Sequence, residues 1–325
     1  MMAKHLYCVV SRDGGDAAVS GDCAYLVPYR DIALVVKESS PINYASLPKD
    51  ILVRHLANHQ SLIEGIMKEC TAVPIKFGTS AMDDGELLEI LESGYPCFKN
   101  AIDSMAGKVE VDLIALWNDL DSTLRELGER DEIRRFKEEI ATASREELRE
   151  AAIELGKMVR VALEEENGRV GNEILFALKE HHLEQRIREH FDDRMLLNVA
   201  FLVESEKKNA LDEQIEGLDK RYCGRINFRV IGPLPPHSFN TLEICRIGAG
   251  EIEEAMNIIG VVPGDDKDEV RKAYRKQLRK YHPDNNSGDP DAQMIFEKFS
   301  RAYKILTGCS NLAFGKDAIM VRVVE

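Results

Sequence analysis

Hydrophobic positions along this chain follow two periods, one near 2 and one near 3.6. His5 to Val10 and Ile32 to Val36 are short and apolar, which predicts two strands, with Pro28 and Asp31 marking a turn between them. From Leu47 to Glu69 the residues Leu52, Leu56, Leu62, Ile63, Ile66 and Met67 fall at mostly helical spacing. Ala72 to Phe77 is a short apolar segment closed by Gly78, so a helix followed by a strand is predicted there. Glu86 to Met105 reads as helix, broken at Gly94-Tyr95-Pro96, and Val109 to Trp117 alternates as a further strand. Residues 1–120 therefore read as an N-terminal α/β lobe.

The pattern then changes. Arg130 to Glu166 is rich in Glu, Arg, Lys and Ala, with Ile133, Phe136, Ile140, Leu148, Ile153, Leu155, Val159 and Leu163 set among the charges. One or two long helices with a solvated face are predicted, continuing to about His190, so residues 121–194 form a helical region. Leu196 to Val203 is almost wholly apolar, as a buried strand is, followed by a polar helix over Lys207 to Tyr222 and a strand over Ile226 to Ile231. Gly232-Pro233-Leu234-Pro235-Pro236 is expected to end the ladder, because proline has no N–H to donate. Residues 195–247 read as a C-terminal α/β lobe.

Beyond it the helical period returns. Val270, Ala273, Tyr274, Gln277, Leu278 and Tyr281 share one helix face, while Arg271, Lys272, Arg275, Lys276, Arg279 and Lys280 occupy the other. After His282-Pro283-Asp284 a second stripe follows: Ala292, Ile295, Phe296, Phe299, Ala302, Tyr303 and Leu306. Two such helices can bury facing apolar rows, with a short helix over Ile252 to Ile259 and acidic capping residues at Asp265-Asp266-Lys267-Asp268. Finally, Ala318 to Val324 is too apolar and β-branched for a frayed end. It is expected to pair beside Thr241 to Ile247 or Ile226 to Ile231, which would insert the helical module between two strands.

Charge sharpens the picture of the basic helix. The chain of 325 residues carries a formal net charge of −14, which argues against nucleic acid or an anionic membrane as a partner. A contiguous cationic face in such a chain is therefore free to meet an acidic partner. Seven cysteines without a paired spacing read as reduced thiols of a cytoplasmic protein, and no apolar run has the length of a membrane span. His55 and His59 stand at i, i+4 on one helix and could chelate, but no third ligand accompanies them, and they read as surface or cap residues. His181, His182 and His190 read as solvated imidazoles. No phosphate-binding glycine loop is present, so no enzyme, metal or cofactor is expected.

The basic helix, the tripeptide and the following stripe resemble a J domain over about residues 251–309. That resemblance implies a DnaJ-like co-chaperone, a chaperone partner of the DnaK-type Hsp70 family. Its Hsp70-binding residues would be His282, Pro283 and Asp284 with Arg271, Lys272, Arg275, Lys276, Arg279 and Lys280. Two positions depart from the usual pattern: Asn285-Asn286 replaces the lysine after the tripeptide, and Ala255-Met256 replaces the tyrosine of the first helix.

A second resemblance rests on Val73-Pro74-Ile75-Lys76-Phe77-Gly78-Thr79, on Leu196 to Val203, and on Phe228-Arg229-Val230-Ile231-Gly232-Pro233-Leu234-Pro235-Pro236-His237-Ser238-Phe239. In that order the three are similar to the gas vesicle protein F/L family over about residues 4–247, with Lys76 and His237 in place of the usual Arg and Tyr. The resemblance implies an α+β fold of two ferredoxin-like lobes with a helical region between them, to which the small all-α J domain is added before a final strand. It also implies a cytoplasmic, gas vesicle associated assembly factor. Its partners would be the gas vesicle shell subunit, other gas vesicle proteins and, through the J domain, Hsp70. Client-binding candidates are Lys76, Phe77, Pro235, Pro236 and Phe239. The alternative is a purely structural gas vesicle adaptor or minor component whose J-like helices do not engage Hsp70.

Overall fold

Two antiparallel sheets of matching strand order organise the chain. The computed structural model describes residues 2–12, 24–140, 147–281, 292–309 and 315–324. Contacts divide it into one unit of residues 1–106 with 235–325 and another of residues 107–234.

In the first unit, β1 (Ala3–Ser11), β2 (Ala24–Tyr29), β3 (Ile32–Ser39) and β4 (Ala72–Pro74) lie in the order β2-β3-β1-β4, and β5 (Ser80–Ala81) also pairs with β1. The hairpin between β2 and β3 turns at Arg30, whose φ of 54° is left-handed, so Pro28 lies within β2 rather than in the turn. Helix α1 (Lys49–Met67) places Ile63 and Ile66 against Cys8, Val10, Ala33, Val35 and Ala72. Helix α2 (Asp84–Met105) packs on β1, β3 and β4. The expected break at Gly94-Tyr95-Pro96 does not occur, since α2 runs through Pro96. Proline inside a helix costs about 3 kcal/mol, whereas each fully buried large apolar side chain returns about 1.5–3 kcal/mol. Leu87, Ile90, Leu91, Phe98 and Ile102 are all buried on this helix.

The second unit holds β6 (Lys108–Trp117), helices α3 (Leu120–Leu127), α4 (Asp131–Ile140) and α5 (Glu147–Leu178), β7 (Glu184–Ile187), β8 (Met195–Glu204), α6 (Lys208–Tyr222) and β9 (Ile226–Leu234). Its strand order is β7-β8-β6-β9 with antiparallel neighbours throughout. A β-α-β-β-α-β chain with that order is ferredoxin-like. Three expectations change here. Val109 to Trp117 belongs to this sheet and not to the N-terminal lobe, because a strand's own pattern does not name its partner. The helical run ends at Leu178, and Glu184–Ile187 forms an edge strand whose charged and half-exposed residues carry no apolar alternation. The ladder also continues through Gly232-Pro233 to Leu234, opposite Glu110, with a register shift between Glu110 and Asp112. An edge strand tolerates proline because one side of its backbone has no ladder to serve.

On the polar side of this sheet Arg188 donates to Glu110 at 2.6 Å and to Asp112 at 2.7 Å. Glu110 is almost completely buried, so the guanidinium compensates a charge that would otherwise be expensive there.

Residues 235–325 return to the first unit. Strand β10 (Thr241–Ile247) attaches to the end of β4 through a parallel bridge between Ile75 and Leu242, where Lys76 N donates to Leu242 O at 2.8 Å. Strand β11 (Ala318–Val324) pairs antiparallel with β10 over its whole length, from Thr241 opposite Val324 to Ile247 opposite Ala318. Thr241 to Ile247 is thus the tail's acceptor, and Ile226 to Ile231 is not. Gly94 of α2 lets the ribbon come close: a Cβ there would stand 2.6 Å from Val321 Cγ2 and 2.6 Å from the Phe98 ring.

Between β10 and β11 the chain forms α7 (Ala249–Ile259), α8 (Lys267–Tyr281) and α9 (Ala292–Gly308). Ile252, Ala255, Met256 and Ile259 of α7, Val270 of α8, and Ala302, Ile305 and Leu306 of α9 share one core with Ile247, Ala318 and Met320 of the ribbon. Deleting residues 317–325 should therefore cost at least about 3 kcal/mol, since it removes the buried Ile319, Met320 and Val321. Amide exchange should accelerate over Thr241–Ile247 and α7 while remaining unchanged in β6 and β8. Unaltered exchange in β10 would show that the ribbon does not hold.

Candidate functional site

Helix α8 begins where its acids require it to. Asp266 Oδ1 accepts from the N–H of Asp268 at 2.9 Å and of Glu269 at 2.8 Å, and Glu269 Oε2 accepts from Asp266 N at 3.0 Å. This reciprocal cap satisfies backbone donors at the helix start and puts negative charge at the positive end of the dipole. The stripe beginning at Val270 turns inward, and Tyr274 stacks on Tyr303 of α9 with centroids 4.1 Å apart and planes 10° apart. The Tyr274 and Ser300 hydroxyls are 3.1 Å apart, which sets the register of α8 against α9.

With that face buried, the opposite one is presented. Arg271, Lys272, Arg275, Lys276 and Arg279 are all exposed, and the last four line a shallow concavity of about 580 Å³. Arg271 pairs with Asp268 on its own helix at 3.2 Å. Among the described residues the other four have no ion pair, so their field is directed outward. His282, Pro283 and Asp284 lie outside the described residues, as does the side chain of Lys280.

The five client candidates separate into two groups. Pro235, Pro236 and Phe239 are buried. They are packed into the first unit because the chain turns inward here to reach β10, which corrects their place among the client-binding candidates. Lys76 and Phe77 remain accessible in part. Lys76 Nζ lies 2.5 Å from Glu243 Oε1, and Arg322 Nε donates to the same carboxylate at 2.8 Å. Hydrogen bonds from Lys76 first and Arg322 second hold the Glu243 carboxyl down at about 2. One carboxylate thereby ties the end of β4, β10 and β11 together. Pattern reading missed Glu243, because its partners stand 167 and 79 positions away.

Phe77 joins an aromatic and histidine corner. Its ring is 4.5 Å from Tyr44 and 5.3 Å from His59, while His59 stacks on Tyr7 at 4.8 Å. His5 and His55 both approach Tyr44 edge-on, around a cavity of about 200 Å³. Gly78 makes the turn possible with a φ of +84°, and a Cβ there would stand 3.3 Å from the Tyr44 ring. His59 is buried, contrary to its reading as a surface or cap residue. The sequence signal was its place on the same α1 face as Ile63 and Ile66. Among the described residues no group of three or more His, Cys, Asp or Glu side chains could hold a metal ion.

An α/β body carrying a three-helix module with one cationic face is thus the class that the fold and site define. The gas vesicle synthesis protein GvpL/GvpF family model matches residues 3–241, and the chain belongs to that family. A DnaJ domain model matches residues 255–310. Solved structures of gas vesicle proteins resemble the fold. The gas vesicle protein GvpF from Anabaena has a TM-score of 0.60 at 17% identity, covering 74% of this chain and 96% of that one. GvpF from Microcystis aeruginosa has a TM-score of 0.58 at 16% identity, covering 74% and 99%. The chaperone protein DnaJ of Halothermothrix orenii is 52% identical over 50 residues, 15% of this chain and 13% of that protein. The DnaJ-like protein R260 of Acanthamoeba polyphaga mimivirus is 40% identical over 57 residues, 18% of this chain and 14% of that protein. The chain therefore spans only a small fraction of these DnaJ relatives, the part that carries the helical module.

Burial holds the His59 imidazole down at about 4, helped by the nearby His237 and His5. A folded-state value below the unfolded one, near 6.5, contributes stability that is complete above about pH 6.5 and is lost as pH falls toward 4. Melting curves from pH 7 to 4 should show the native chain losing about 2–3 kcal/mol more than His59→Phe over that window. Parallel curves for the two proteins would remove His59 as the acid-sensitive group.

Proposed function

We propose that this chain is a cytoplasmic gas vesicle assembly factor that binds shell subunits and recruits an Hsp70 of the DnaK type, stimulating its ATPase through the J domain. The observation that carries the reading is the exposed face of Lys272, Arg275, Lys276 and Arg279, unpaired among the described residues in a chain of net charge −14 and followed at once by His282-Pro283-Asp284. Fixed cations on a rigid helix steer an acidic partner and orient it on encounter. The tripeptide then acts at the docked interface, and ATP belongs to the partner. Family membership over residues 3–241 supports placing client recognition in that part of the chain, with Lys76 and Phe77 as the accessible candidates. No helix of the described residues is long and apolar enough to cross a membrane.

Two outcomes test the reading. His282→Gln should leave the melting temperature unchanged and abolish stimulation in single-turnover ATPase assays with purified DnaK-type Hsp70; undiminished stimulation removes the Hsp70 role and leaves a structural adaptor. Replacing Arg275, Lys276 and Arg279 together by Glu should weaken Hsp70 binding at least about tenfold, and native binding should itself weaken as salt rises. Binding indifferent to salt would mean that an apolar contact, and not the cationic face, does the docking.

A further inference from the structure

Strand β9 ends the second sheet, pairing with β6 alone among the described strands. Its outer backbone edge is thus a row of donors and acceptors without a ladder partner. Proteins usually guard such edges with lysine, proline or inward charge. Here Pro233 stands near the far end, and Arg229 is the single charged residue of Ile226 to Gly232. Val230 and Ile231 are 40% and 47% exposed, unusual for apolar residues in mid-strand.

Beside this edge lies a groove of about 860 Å³ between β9 and α6. Its floor is apolar: Phe228 and Val230, two residues apart and so on one face of the strand, with Ile215 of α6. Its wall is charged. Asp212, Glu216 and Asp219 recur at i, i+4 and i+7 and therefore share one helix face. Lys208 neutralises Asp212 at 2.5 Å. Glu216 and Asp219 form no ion pair among the described residues, and with Lys220 also in the lining the groove keeps a net negative charge.

An unguarded edge strand flanked by a helix, with alternate side chains flooring the groove between them, is the geometry of strand addition. There main-chain hydrogen bonds supply affinity and pockets for alternate side chains supply selectivity. We propose that the β9 edge and α6 bind an extended segment of a partner protein, whose groove-facing side chains are apolar with a cation among them to meet Glu216 and Asp219. This site is separate from the cationic helix and does not depend on the Hsp70 reading.

The test uses the full chain and a fluorescein-labelled, end-blocked heptapeptide that alternates threonine with valine, lysine and valine. Anisotropy should show saturable binding, weakened at least about tenfold in the double variant Glu216→Lys, Asp219→Lys and by changing the probe's lysine to glutamate. Both variant positions are on the helix surface, and an unchanged melting temperature confirms an intact fold. Amide exchange should slow in β9 and not in β7, the other edge of the same sheet. Absence of saturable binding up to about 1 mM, or binding equal in native and double-variant chains, overturns the proposal. So does sedimentation showing a dimer that Val230→Lys dissolves, since the occupant would then be a second copy.

Discussion

Antiparallel pairing of β10 with β11 is the constraint on which the arrangement of the functional module depends. The seven paired positions from Thr241–Val324 to Ile247–Ala318 bring together segments separated by the whole three-helix module. Closing so long an intervening chain is costly only logarithmically, whereas the ribbon gains a full ladder and buries Ile319, Met320 and Val321. The Glu243 carboxylate reinforces the same point by holding Lys76 and Arg322 at once. Asp317 adds a further tie, accepting from the N–H of Ala249 at 2.9 Å at the first turn of α7.

The consequence is a module without a free linker. Ile247, Ala318 and Met320 belong to the same hydrophobic cluster as the three helices, so the ribbon is part of the module's core as well as an extension of the first sheet. A helix whose cationic face is fixed in this way presents its charges in one direction relative to β1–β4. Its encounter with an acidic partner then carries orientation as well as attraction. A flexible tether would provide proximity alone, at an effective concentration set by its length.

Much of this was legible in the sequence, and the failures share a physical cause. Periodicity located the long helices and the apolar strands, because burial on one face or both writes itself into residue spacing. The two stripes around His282-Pro283-Asp284 predicted which face of α8 is hidden, and Tyr274 against Tyr303 shows why. Edge strand β7 was missed because half-exposed charged residues leave no alternation to read. Pro96 misled because propensity is local, whereas burial of Phe98 and its neighbours is decided by the whole unit. Partner choice was least legible: nothing in Val109 to Trp117 says which sheet it joins, and nothing near Glu243 announces Lys76. Pro235, Pro236 and Phe239 carried a family motif, but a motif marks a required residue without saying whether it faces solvent or core.

The central claim is that the helical module and the first sheet move as one body. Backbone nitrogen-15 relaxation on the full chain measures this directly, comparing amides of α7, α8 and α9 with those of β1 and β3. The account predicts one rotational correlation time for both sets. A distinctly shorter time for the helices, as a small domain on a loose tether would give, would contradict it.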